Sequence, residues 1–287
     1  FFFVNDGSIL KHWHTQLCGS TIMPDVWSGL CLVLDIDHTL LHCTEIQEFG
    51  PIASEQSKAD DLYTIFIHQK SHFIKLRPHL WTFLQHIHPL FQCYICTHGD
   101  AVYAAQVKKI LDPSGSIFGN RIISRETFGA GRGKSLHKIV PREKLHDTII
   151  IDDTKEVWCI EAAGDPHDIP LLHIRKFEYW SPPTSTKRRV NDRFRYDDAL
   201  LVMLGILKRV AYQREHLRPQ PVIDILRDLQ YRVFDGLRLM FTGLMRKDVP
   251  ISDTNEWRLA KAHGAEVVTT LDEATHLIYP DGRHTAA

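Results

Sequence analysis

The sequence predicts an α/β protein: a parallel sheet flanked by helices, followed by a helical linker and a smaller, partial α/β domain. Three observations carry this expectation. Near-continuous apolar runs at 30–34 (LCLVL), 91–96 (FQCYIC) and 148–152 (TIIID) read as strands buried on both faces. Stretches with helical patterning separate them, so the connections are crossovers and the strands run parallel, a Rossmann-like arrangement. Each run ends in polar residues, namely Asp35 and Asp37, Thr97, and Asp152 with Asp153, at the carboxyl ends where such sheets bind ligands.

Taken in order, residues 1–29 yield no site. Cys18 with His12 and His14 lacks the second cysteine pair of a zinc module. The chain opens on Phe1 without a basic segment and apolar core, so it reads as a fragment and not as a secretory precursor. In 30–42, alternation sends Asp35, Asp37 and Thr39 to one side if the extended geometry persists. Two carboxylates held so close are tolerated when a divalent cation neutralises them or one carries a proton. For an isolated acid pair, a solvated acidic turn is the competing reading.

Residues 49–61 read as a surface loop, then LYTIFIH and HFIKLRPHL as two short strands, with Pro78 in the first turn of a helix through 81–88. Arg77 stands where the second strand stops, a position that suits a guanidinium serving an anion, with a surface arginine near a turn as the default for the residue taken alone. Asp100 is the expected N-cap of a helix spanning AVYAAQVKKIL. Cys93 and Cys96 are three apart in a strand and so face opposite sides, as buried thiols and not as a metal pair. The glycine-rich FGAGRGKSL fails as a phosphate-cradling loop, because the required first glycine falls on Phe128. Lys134 opens the segment SLHKIV, expected to be helical, from which a lysine can reach a phosphate.

With 44% hydrophobic residues and a formal net charge of -1, the chain is neither a polybasic nucleic-acid binder nor an acidic tail. Its longest apolar stretch, 199–207, is too short to cross a bilayer. The 6 cysteines show no disulfide-like framework, which suits a reducing compartment.

The order DIDHT, Thr97, Lys134 and IDD resembles the four motifs of the haloacid dehalogenase phosphatase superfamily. More closely, 97–129 and KSL with TIIIDDTKEVW resemble the RNA polymerase II carboxy-terminal-domain phosphatases of the TFIIF-associating type. Departures from that pattern fall at Phe91, Cys96 and Thr154. The resemblance spans roughly 30–180 and implies a Mg²⁺-dependent protein-serine/threonine phosphatase, without a large cap, acting on the phosphorylated polymerase tail in the nucleus. General transcription factors are further implied partners, with neither nucleic acid nor membrane bound directly. It implies Asp35 as nucleophile and Asp37 as general acid and base. Mg²⁺ is then held by Asp35, Asp152 and a carbonyl near Asp37, with Asp153 on a metal-bound water. Thr97 and Lys134, helped by Arg77, hold the phosphate, while Thr39 shapes the loop. The competing class is a non-catalytic phosphoprotein adaptor on the same fold; retention of the acids favours the enzyme.

The expected domains are 30–185 for the phosphatase, 186–231 for the helical linker and 232–287 for the last domain. SPPTSTKRR at 181–189 reads as a solvated loop, Lys187, Arg188 and Arg189 being too few for a nuclear-import signal. From Val233 the order strand, helix closed by Gly264, strand, strand resembles part of a BRCT domain, carried by FTG, HGAEVV and THLI. With no lysine in the closing GRHTAA, a structural or docking role is expected of this segment before phosphopeptide binding.

Overall fold

The structure, a computed structural model, describes residues 29–45, 61–129, 133–158, 169–180, 196–217, 220–243 and 250–279. The His12, His14 and Cys18 group, the 181–189 linker and the closing GRHTAA lie outside these residues. Two compact units are present, one within 22–223 and one within 224–287.

The first unit runs β1 (Leu30–Leu34), β2 (Leu41–Glu45), β3 (Leu62–Ile67), β4 (Lys70–Leu76), α1 (Leu80–Ile87), β5 (Phe91–Cys96), α2 (Ala101–Leu111), β6 (Ile122–Ile123), β7 (Thr148–Asp152), β8 (Leu171–His173) and α3 (Ala199–His216). The three apolar runs are β1, β5 and β7, and they occupy the middle of a five-stranded parallel sheet in the order β6-β5-β1-β7-β8. Leu32 pairs with Cys93 on one side and Ile149 on the other. Every residue of β1 is fully buried, as a central strand covered on both faces must be. Each such leucine contributes about 1.5–3 kcal/mol of burial free energy.

Cys31, Val33, Tyr94, Cys96 and Ile150 join Phe128, Val140 and Trp158 in one core, so the pleat turns Leu32, Leu34, Cys93 and Ile95 to the opposite face. Cys93 and Cys96 are therefore separated by the sheet, and burial pushes each thiol up to about 12. Asp100 caps α2 by accepting the Tyr103 N–H at 2.8 Å.

Three local expectations change. Pro78 precedes the helix instead of entering its first turn, because His79 takes a left-handed φ of 66° and α1 starts at Leu80. A third strand, β2, pairs antiparallel with β4, giving the small sheet β2-β4-β3 where two strands were expected. The segment after Lys134 is a single 3-10 turn over Leu136–Lys138, too short to act as a helix N-terminus.

Across the unit boundary lies α4 (Val222–Tyr231), and the second unit continues with β9 (Arg238–Phe241), α5 (Asn255–Ala262), β10 (Glu266–Val267) and β11 (His276–Ile278). Its sheet is parallel, in the order β10-β9-β11, over a core of Leu239, Phe241, Ala260 and Ala265. Gly264 closes α5 at φ +88°, where a Cβ would run into the Tyr231 carbonyl oxygen. Among the described residues no helix is long and apolar enough to cross a membrane.

Candidate active site

Strand β1 ends at Leu34, and the chain immediately tightens. The Asp35 N–H still bonds the Ile151 carbonyl at 3.0 Å, as a further rung of the sheet. The Leu40 N–H then folds back onto the Ile36 carbonyl at 2.9 Å, and His38 takes φ 62°. Extended geometry thus does not persist to Thr39. Asp35 and Asp37 nevertheless reach the same end of the sheet, where Thr97 arrives from β5 and Asp152 from β7.

Lys134 ties two of these strands together. Its ammonium donates to Asp35 Oδ1 at 2.6 Å and to Asp152 Oδ2 at 2.7 Å, in a site where all three side chains are buried. Burial pushes the lysine pKa down, but the Asp35 and Asp152 carboxylates more than reverse this and leave it raised. The Lys134 N–H bonds the Val157 carbonyl at 2.7 Å, which brings Trp158 alongside. The Trp158 indole N–H donates to Asp152 Oδ2 at 2.9 Å, and its ring lies 5.5 Å from the Lys134 ammonium. Burial, with the neighbouring Asp152 and Asp37 charges, raises the Asp35 carboxyl to about 8, against the opposing pull of Lys134.

Asp37 has different neighbours. Tyr103 donates its hydroxyl to Asp37 Oδ1 at 2.6 Å, and the Thr97 hydroxyl lies 3.4 Å from Oδ2 while accepting the Gly99 N–H at 2.9 Å. Burial raises the Asp37 pKa, outweighing these two donors, which favour the anion. Gly99 makes the Tyr103 contact feasible, since a Cβ there would sit well inside van der Waals distance of the tyrosine ring. Neither Tyr103 nor Trp158 emerged from sequence reasoning. The one signal for Tyr103 was its place in the first turn of a helix capped by Asp100, beside a glycine at the strand end.

Asp35, Asp152 and Asp153 each offer a carboxylate oxygen within 4.8 Å of the others, a cluster able to hold a metal ion. The third side chain of the cluster is Asp153, the residue expected on a metal-bound water. Thr39 supports it: its hydroxyl accepts the Asp153 N–H at 3.0 Å and lies 3.4 Å from Asp153 Oδ1. Arg77 is buried against the loop. Its guanidinium donates to the Thr39 carbonyl at 2.9 Å, the Arg175 carbonyl at 2.7 Å and Asp197 Oδ2 at 3.0 Å.

Comparison with known proteins places these motifs. A sequence model described as NLI interacting factor-like phosphatase matches residues 30–179. An Arabidopsis thaliana protein named RNA polymerase II C-terminal domain phosphatase-like 4 is 28% identical over 281 residues, covering 88% of this chain and 61% of its own length. A Caenorhabditis elegans C-terminal domain phosphatase of RNA polymerase II is 24% identical, over 94% of this chain and 44% of its own. The chain therefore spans 61% and 44% of the length of these two relatives. Among solved structures, fission yeast RNA polymerase II CTD phosphatase Fcp1 bound to beryllium fluoride superposes with a TM-score of 0.59 at 21% identity, covering 98% of this chain and 89% of that one. At that identity the likeness is one of fold.

Proposed function

We propose, for a chain that belongs to the NLI interacting factor-like phosphatase family, that it is a Mg²⁺-dependent protein-serine/threonine phosphatase working through an aspartyl-phosphate. Its proposed substrate is the phosphorylated C-terminal tail of RNA polymerase II, in the nucleus, a reading supported by the names its relatives carry. The observation that carries the chemistry is the convergence of Asp35, Asp37, Thr97, Lys134 and the Asp152–Asp153 pair at one end of the central sheet.

Asp35, Asp152 and Asp153 are hard oxygen donors, which fits a small divalent cation. When bound, Mg²⁺ supplies positive charge that shields the nucleophile from the phosphate's own negative charge. An oxygen of the Asp35 carboxylate bonds to phosphorus as the bond to the serine oxygen breaks. Asp37, whose carboxyl burial raises above its ordinary value, gives its proton to that leaving oxygen. Water next attacks the same phosphorus and passes a proton to Asp37, releasing inorganic phosphate and restoring Asp35. The Lys134 ammonium, already 2.6 Å from the nucleophile, and the Thr97 hydroxyl meet the charge on the phosphoryl oxygens. In this reading Asp35, Asp152 and a carbonyl near Asp37 would hold the metal, with Asp153, steadied by Thr39, beside them. Arg77 holds the loop from behind.

The test is hydrolysis of p-nitrophenyl phosphate with and without Mg²⁺, followed by a panel of phosphoserine peptides from the polymerase repeat. Mg²⁺-dependent release is expected. Binding of the phosphopeptides without any turnover would instead identify a non-catalytic adaptor.

A further inference from the structure

The loop that carries both aspartates turns on the Ile36 carbonyl, which accepts the Leu40 N–H at 2.9 Å, and its later carbonyls are pinned from behind. The His38 carbonyl accepts the Phe177 N–H at 2.7 Å, and the Thr39 carbonyl accepts a guanidinium N–H of Arg77 at 2.9 Å, with the His38 carbonyl 3.5 Å from the same nitrogen. A non-glycine residue at φ 62°, as at His38, persists only where its surroundings hold it. Arg77 is buried, so its orientation depends on what faces its second terminal nitrogen. That nitrogen donates to the Arg175 carbonyl at 2.7 Å and to Asp197 Oδ2 at 3.0 Å, and neither the Arg77 nor the Asp197 side chain has any exposed surface.

Asp197 is itself fixed. Its other oxygen accepts the Ala199 N–H at 2.9 Å at the start of α3, and Arg175 stands 3.7 Å from the shared Oδ2. A rigid helix end therefore sets the carboxylate, the carboxylate sets the guanidinium fork, and the fork sets two carbonyls of the Asp35–Thr39 loop. Asp197 lies beyond residue 179, where the family match stops.

We propose that Asp197 is a positioning residue for the phosphatase reaction: acting through Arg77, it links the start of α3 to the loop bearing Asp35 and Asp37. The helical segment after the phosphatase fold is then part of the catalytic apparatus and not a spacer. The proposal rests on the phosphatase reading above. A reacting group displaced by about an ångström loses on the order of a hundredfold in rate, so a loosened loop is read out in kcat more than in KM.

Two variants of the full chain separate positioning from simple structural support. Asp197→Leu removes the acceptor and leaves the buried Arg77 cation unpaired, so its melting temperature should fall and kcat should fall about 10- to 100-fold. Arg77→Met with Asp197→Leu replaces the pair by apolar side chains, so stability should be largely kept while kcat falls about 10- to 100-fold with KM little changed. Rate is thus lost in both variants, whereas stability is lost only in the first. A kcat that recovers together with the melting temperature in the double variant overturns the proposal; should the double variant not fold, a wild-type kcat in Asp197→Leu assayed below its melting temperature overturns it. Wild-type protein without turnover would instead remove the phosphatase reading.

Discussion

At the scale of the residue, two carboxylates two positions apart are given different work by different neighbours. Asp35 faces a cation and Asp37 faces two hydroxyls. Asp35→Asn should abolish turnover. Because burial holds the Asp35 carboxyl above its ordinary value, ionising it costs native-state stability as pH rises past the unfolded value. In chelator at neutral pH the Asn variant should therefore melt no lower than wild type by more than a few degrees, despite losing its bond to Lys134. Asp37→Asn tests the second role. p-Nitrophenolate leaves without a proton, so this variant should show a burst of about one product per enzyme followed by a slow phase, whereas phosphoserine peptides show no burst. A linear trace with p-nitrophenyl phosphate would argue against the covalent intermediate. Tyr103→Phe removes a donor that favours ionised Asp37, so the Asp37 pKa rises further. The acid form then survives to higher pH, and the alkaline limb of the kcat/KM profile should shift upward; a downward shift would contradict the assignment.

Elements act by where they end. β1 and β7 are adjacent and parallel, so their carboxyl ends deliver Asp35, Asp152 and Asp153 to one place, and α2 begins just where β5 has delivered Thr97. The acid cluster predicts that chelation silences the enzyme and that Ca²⁺, which prefers a larger and looser oxygen shell, does not restore it. Activity that persists in excess chelator would remove the metal from the scheme. At the junction of β5 and α2, Gly99→Ala places a methyl group against the Tyr103 ring. The helix keeps its Asp100 cap, so stability should change little more than a typical surface substitution, but Tyr103 must swing off Asp37. A loss of about tenfold or more in kcat on phosphoserine peptides is expected, with wild-type rates refuting the need for that contact.

For the whole molecule, the decisive feature is what covers the sheet end. Between Thr39 and Thr97 the described residues form only the β2-β4-β3 sheet and α1, and between Thr97 and Lys134 only α2, the short β6 and a 3-10 turn. Neither stretch contains, among the described residues, a lid with a core of its own. Enzymes that act on small phosphorylated metabolites gain from enclosing them and excluding water. A site without such a lid draws affinity from contacts flanking the phosphate, and on that premise kcat/KM for a multi-repeat phosphoserine peptide should greatly exceed that for free phosphoserine. Equal efficiency on the two would show the substrate class to be misread.

The central strands, the cap at Asp100 and the acids at the strand ends were legible in the chain because each is a local pattern: an apolar run, a polar residue at a fixed offset, a pair of like charges. The small sheet was half legible, since β2 follows the turn at His38 without an apolar run to announce it. What the chain could not disclose is which polar group meets which. Tyr103 and Asp37 are 66 residues apart, and Arg77 and Asp197 are 120. From the sequence Arg77 suited an anion beside a turn; in the fold its terminal nitrogens meet Asp197 on the approach to α3 and the Thr39 and Arg175 carbonyls. Periodicity and strand-end chemistry are properties of neighbouring residues and survive in one dimension. The choice of partner for a buried cation or hydroxyl depends on distances across the sheet, which exist only once the strands have paired.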